Sequence, residues 1–181
     1  MSRMMEGIVL HVLFVCTGNI CRSPTAERLA AAYSARFQLP DFSASSAGIR
    51  AVTGHPIQRD AAQVLETLGG TASNFAARQL TSRIASEADL VLTMTTAHRD
   101  AVLELAPRLL HRTFTLSEVA QLVSEHNARH VADLAALRPN LSGHDLSDVP
   151  DPVGQSAEYF SMVGSQIAAL LPPILGLCRP D

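Results

Sequence analysis

Apolar and polar residues fall in blocks along this chain, and the period within the blocks alternates between two patterns. Residues 8–15 are almost unbroken in apolar and β-branched side chains, the pattern of a strand buried on both faces of a parallel sheet. Residues 23–32 take on helical spacing. Ser23 is placed to cap that helix, and Pro24 sits at the first helical position with its φ already set. A capping box there would need a carboxylate at position 26, and Glu27 comes one residue late. Residues 42–47 predict a second strand, and 57–68 a helix closed by Gly69-Gly70. Residues 90–94 predict a third strand with a helix after it at 97–105, and 113–116 a fourth strand. Ser117 then caps a helix over 118–123, residues 124–144 predict a helical insertion ending in a loop, and 159–171 a last amphipathic helix. Strands and helices alternating at these intervals predict an α/β fold, an open and doubly wound parallel sheet.

Composition narrows the partners. The chain has 181 residues, the length of a single domain, with 47% apolar and 17% charged residues and a net charge of −3. All 14 of its cations are arginines, and an acidic chain without lysine offers no basic stripe for nucleic acid. Its 3 cysteines make no disulfide scaffold, which predicts a reducing, cytoplasmic setting. The 8–15 run is too short to span a bilayer, and Pro172 and Pro173 interrupt the apolar run at 167–178, so no membrane span is expected. His126 and His130 are spaced to share one helical face, but the glutamate of a zinc-hydrolase motif is missing between them, and they read as surface residues. His55, His98, His111 and His144 are scattered and are given no role; no metal is expected.

In a parallel sheet ligands bind beyond the carboxyl ends of the strands. At the end of the first strand stands Cys16-Thr17-Gly18-Asn19-Ile20-Cys21-Arg22-Ser23, leading into the helix. Each position has a use if the ligand is a phosphate. A turn wrapped over a helix N-terminus presents successive N–H groups from 17 to 23, and the helix dipole adds to their pull on an anion. Gly18 and Asn19 are the residues that tolerate positive φ in such a wrap. Arg22 can hold two phosphate oxygens bidentately, as a lysine cannot. Cys16, at the floor of the cup, is where a thiolate nucleophile is expected, and Ser23 can donate a hydrogen bond to its sulfur.

Ester cleavage also needs an acid for the departing oxygen. Asp151 is the candidate, braced between Pro150 and Pro152 ahead of the last helix, with Asp148 nearby.

These stretches resemble the low molecular weight protein tyrosine phosphatase family. The likeness rests on 16–27 and Asp151-Pro152, together with Ser46-Ala47-Gly48, Ala77-Arg78-Gln79-Leu80, Asp89-Leu90-Val91-Leu92-Thr93-Met94 and Asp148-Val149-Pro150. It implies a four-stranded parallel sheet with helices on both faces. It also implies Cys16 as nucleophile, Arg22 as transition-state clamp, and Asp151 as general acid and then base. Asn19, Ser23 and Ser46 shape the loop, and Cys21 is the thiol that traps an oxidised Cys16 as a disulfide. No cofactor is implied; the implied partner is a phosphorylated protein or a small phosphate ester, and the resemblance suggests a tyrosine kinase or a polysaccharide-export component in a bacterium.

The chain departs from that pattern where aromatic side chains usually wall the slot. Val153 and Gly154 follow the Asp-Pro, Ile49-Arg50-Ala51-Val52 follows Gly48, and Phe75 replaces a common histidine. Ile20 stands where arginine-phosphate phosphatases tend to have threonine. Two other activities share parts of this pattern. Thiol-linked arsenate reduction needs a relay thiol, for which only Cys178 is left outside the loop, and a silent phosphate-binding module would lack the nucleophile or the acid.

Overall fold

The computed structural model describes residues 9–142 and 146–179. Four strands, β1 (Leu10–Cys16), β2 (Phe42–Gly48), β3 (Leu90–Thr93) and β4 (Thr113–Thr115), form one sheet in the order β2-β1-β3-β4. Every pairing is parallel, with Cys16 opposite Gly48 and Val15 opposite both Ala47 and Thr93. The helices are α1 (Arg22–Arg36), α2 (Arg59–Thr67), α3 (Ser82–Ser86), α4 (Thr96–Leu105), α5 (Leu116–His126), α6 (Val131–Leu137) and α7 (Ala157–Leu175).

The near-continuous apolar run of β1 has the cause anticipated from its sequence. Leu10, Val12, Phe14 and Cys16 pack in the larger core with residues of α1, α2, α5 and α7. Leu13 and Val15 point the other way, into a smaller core with Ala85 of α3, Val102 of α4 and Leu109. Period-two alternation thus feeds two helical layers from one strand. Because the strands are parallel, Cys16, Gly48, Thr93 and Thr115 all end at the same edge, and the loops that follow them are neighbours.

Several boundaries differ from the sequence expectation, each for a local reason. α1 starts at Arg22, so Ser23 lies inside its first turn and does not cap it; the cap position is Cys21, without a side-chain bond. α5 starts at Leu116 and is capped by Thr115, not Ser117. Thr115 Oγ1 accepts from Glu118 N–H at 3.1 Å, and Glu118 returns a bond to Thr115 N–H at 3.0 Å. Ser117 instead donates to the carbonyl of Ser147. The prolines at 172 and 173 do not break α7, because Leu171, Ile174 and Leu175 around them are buried in the core and hold the last turn in place. By length and composition that helix is able to cross a membrane, yet here its apolar face is buried in the larger core beside α1, α2 and α5. The short α3 had no counterpart in the sequence pattern.

Of the expected insertion, α5 takes the first residues and α6 the middle, with Leu134 buried in the larger core. Arg138 then stacks over Phe114 of β4, 3.9 Å from the ring centroid, and pins this segment to the sheet edge. Ile8, where the first strand was expected to begin, and His144 lie outside the described residues.

Candidate active site

β1 delivers Cys16 to the carboxyl edge of the sheet, and the turn 17–21 links it to α1. Most carbonyls in and next to this turn are engaged from outside it. Those of Cys16, Thr17, Gly18 and Ile20 accept from the N–H groups of Ile49, Arg50, Val52 and Gln58 at 2.8–3.0 Å. The N–H groups of Gly18, Asn19, Ile20 and Cys21 have no acceptor among the described residues. Oxygens bound outwards and donors left over is the backbone signature of an anion cradle at a helix N-terminus.

Asn19 holds the turn in shape. It is fully buried in the left-handed conformation, at φ 56°. Its Oδ1 accepts from Arg78 N–H at 2.9 Å, which fixes which end of the amide carries nitrogen. The Nδ2 group then donates to Ser23 Oγ at 2.8 Å and to Ser46 Oγ at 2.9 Å. Ser23 Oγ lies 2.9 Å from Cys16 Sγ. Since that oxygen already accepts from Asn19, its own hydrogen is available to the sulfur. Ser46 passes its hydrogen on to Glu27 Oε1 at 3.1 Å.

Gly18 departs from expectation: only Asn19 in the turn has positive φ, and a Cβ on Gly18 would meet Ile20 and Val52 at an ordinary 3.5 Å. The glycine that the turn requires is Gly48, where a Cβ would come within 2.5 Å of Thr17 O and 3.0 Å of Asn19 N.

Arg22 is buried at the first position of α1, and one of its nitrogens donates to Val149 O at 2.9 Å. Its other terminal nitrogen is 3.8 Å from Asp151 Oδ2, whose side chain is 54% exposed. Asp151 Oδ1 also accepts from Val153 N–H at 3.1 Å. The two nearby acids therefore separate: Asp151 faces Arg22, whereas Asp148 accepts from Thr96 N–H at the start of α4, at 2.9 Å. Val149 between them is fully buried and donates its N–H to Met94 O at 2.9 Å, anchoring the loop.

Burial, reinforced by Cys16 and Asp151 nearby, pushes the Cys21 thiol up to about 12, so it stays protonated. His98, assigned no role from its local sequence, is buried with its Nε2 at 2.8 Å from Thr17 Oγ1. Burial first, and then the Arg22 charge, push its imidazole down to about 4. The signal for His98 was topological: it opens the helix after β3, at the same sheet edge as Cys16. His126 ends α5 and His130 precedes α6, with Asn127 left-handed between them, so the two share no helical face. Among the described residues no group of three or more His, Cys, Asp or Glu is arranged to hold a metal.

Cys178 lies at the far end of the molecule, within electrostatic reach of Asp41, whose carbonyl pairs with the first residue of β1. The length of β1 alone, at about 3.3 Å per residue, separates that end from Cys16 by about 20 Å. Around the turn, residues 49–58 and 148–156 contain no Phe, Tyr or Trp. Phe75 lies beneath the Arg28 guanidinium, 5.5 Å from ring centroid to carbon.

Residues 11–133 match the family described as low molecular weight phosphotyrosine protein phosphatase. A low molecular weight protein-tyrosine-phosphatase of Escherichia coli K12, Etp, is 37% identical over 107 residues, covering 59% of this chain and 69% of that protein. The structure of the low molecular weight protein tyrosine phosphatase from T. tengcongensis superposes with a TM-score of 0.74 at 31% identity, covering 92% of this chain and 97% of that one. The YwlE arginine phosphatase from Geobacillus stearothermophilus superposes with a TM-score of 0.71 at 31% identity, covering 91% and 90%. A parallel four-stranded sheet, an anion-cradling turn after its first strand and these matches lead to one assignment: the chain belongs to the low molecular weight phosphotyrosine protein phosphatase family and is a cysteine-dependent phosphatase.

Proposed function

We propose that this enzyme hydrolyses protein phosphotyrosine through a cysteinyl-phosphate intermediate, in a single domain that works in a reducing bacterial cytoplasm. The Cys16 thiolate attacks phosphorus while the N–H groups of the turn and the Arg22 guanidinium hold the equatorial oxygens. As the ester P–O bond breaks, Asp151 gives its proton to the departing oxygen. Water then attacks the phosphorus of the thiophosphate, Asp151 takes the water's proton, and the sulfur leaves as a thiolate bonded to Ser23. Thr17, Gly18, Asn19, Ile20, Cys21 and Ser23 bind the phosphate through the turn, with Ser46 supporting it from β2. Cys21 is the thiol that condenses with a sulfenic acid on Cys16, forming a disulfide and releasing water; kept protonated, it does so slowly at neutral pH.

One observation carries this reading: the Asn19–Ser23–Cys16 chain beneath a turn whose donors have no acceptor in the protein, with Asp151 across Arg22. The presence of both nucleophile and acid speaks against a silent binding module. The position of Cys178 at the opposite end speaks against a thiol relay for arsenate. Rapid mixing of the wild type with an aryl phosphate, followed by acid quench and mass spectrometry, should find a phosphoryl adduct on the peptide carrying Cys16. Cys16→Ser should lose turnover while still binding vanadate. A turnover-competent Cys16→Ser protein would sink the mechanism.

A further inference from the structure

The first turn of α4 touches both loops of the site. His98 Nε2 lies 2.8 Å from Thr17 Oγ1, and Thr96 N–H donates to Asp148 Oδ1 at 2.9 Å. Just before them, Met94 O accepts from Val149 N–H at 2.9 Å. Residues 94–98 therefore grip the residue after Cys16 on one side and the start of the Asp151 loop on the other. Given Cys16 as nucleophile and Asp151 as acid, on which this reading rests, we infer that His98 is a positioning residue: its bond to Thr17 sets the turn that carries the sulfur at the right distance from the loop that carries the acid.

The state of the ring follows from its surroundings. His98 is 8% exposed, and its Nδ1 is buried with no partner among the described residues. A neutral imidazole has one N–H to place. A buried donor without an acceptor is rarer in proteins than a buried acceptor without a donor. The proton therefore belongs on Nε2, donated to Thr17 Oγ1, which leaves the Thr17 hydrogen free for an oxygen on the turn. The charged groups that face the ring are Arg22 of α1 and Asp148 and Asp151 of the acid loop. Buried, and beside Arg22, the ring stays neutral down to about pH 4, so it is no general acid for the reaction. Its action is geometric, and a displacement of about 1 Å between reacting groups is enough to cost about 10²-fold in rate.

The test uses the intact protein and a series of aryl phosphates of graded leaving-group pKa. His98→Leu fills similar space without the bond, whereas His98→Gln carries an amide N–H to nearly the position of Nε2. His98→Leu should lower kcat by about 10- to 10²-fold, with the loss growing as the leaving group worsens and vanadate affinity changing less than kcat. His98→Gln should return kcat to within a few-fold of wild type. Thr17→Val cuts the same bond from the other side and should show the same leaving-group signature, which also decides the matter if His98→Leu does not fold. The double variant should lose no more than the worse single one. Wild-type kcat in His98→Leu, equal losses in His98→Gln and His98→Leu, or additive losses in the double variant would each overturn the role of His98. Asp151→Asn belongs in the same series. Without a leaving-group signature there, Asp151 is not the acid; with it there and absent in His98→Leu, only the positioning role falls.

Discussion

The two sides of this site are built to opposite specifications. On the sulfur side, Asn19, Ser23, Ser46 and Arg22 are all buried, and each polar side chain has a partner within the protein. On the acid side, Asp151 and Val153 are more than half exposed, and Asp151 is tied by one backbone N–H and a 3.8 Å ion pair. The difference follows what each side meets. A phosphoryl group has one shape and one charge distribution, so its binders can be fixed in advance and gain from exclusion of water. The leaving group varies between substrates and must enter from solvent, which suits the proposed acid, Asp151, standing at the surface.

The sharpest way to break that contrast is to keep a charge on the fixed side and spoil its geometry. Arg22→Lys preserves the cation but loses the planar fork and the bond to Val149 O. Turnover should fall by about 10³–10⁵, the scale of an arginine that stabilises phosphoryl transfer. A loss of less than tenfold in steady-state kcat would mean that charge alone suffices and that the buried geometry is idle.

On the exposed side the effect should depend on the substrate. Asp151→Asn should slow phosphorylation of the enzyme by about 10²–10⁴ for esters with poor leaving groups, and by much less for those that leave unaided. Single-turnover kinetics across such a series check this; a uniform loss would make Asp151 a binding residue.

The contrast also bears on stability, because a buried network can refuse a proton that the unfolded chain accepts. His98 titrates near 6.5 when unfolded and near 4 in the fold. As pH drops below 6.5 the unfolded state binds this proton and the native state does not, so stability present at neutral pH is lost as pH approaches 4. The loss reaches about 3 kcal/mol by pH 4. Urea midpoints of wild type and His98→Gln, compared at pH 7 and pH 4, isolate this contribution; parallel shifts in the two proteins would remove it.

How far the sequence revealed these two sides depended on whether a feature was local. Strand, turn and helix around Cys16 were legible, since an apolar run followed by Gly18, Asn19 and a serine-proline pair has few other meanings. Where that helix begins was not, because Ser23 is drawn from capping into the bond with Cys16. Gly48 and His98 act by coming close to a turn remote from them in the chain, and no local spacing encodes that approach. The prolines of α7 misled for a related reason: their helix-breaking tendency is local, and the burial that overrides it is tertiary.

The smallest effect expected concerns the missing walls. Val153 is 54% exposed, two residues from Asp151 and joined to its carboxylate through the backbone. Gly154 after it holds φ at 81° with nothing near its absent side chain. An aromatic ring at 153 therefore has room to lie beside a substrate ring without displacing packed atoms. A well-placed aromatic pair is worth about 0.5–1.5 kcal/mol, so Val153→Tyr should raise kcat/KM for phosphotyrosine by about 2- to 10-fold. Phosphoarginine and alkyl phosphates offer no ring to stack and should gain little, which makes the aryl-to-alkyl ratio the quantity to measure. If that ratio does not move, residue 153 does not border the slot. Selection among leaving groups would then belong to the wall made by residues 49–52, where Arg50 is exposed and Val52 reaches the turn through its bond to Gly18 O.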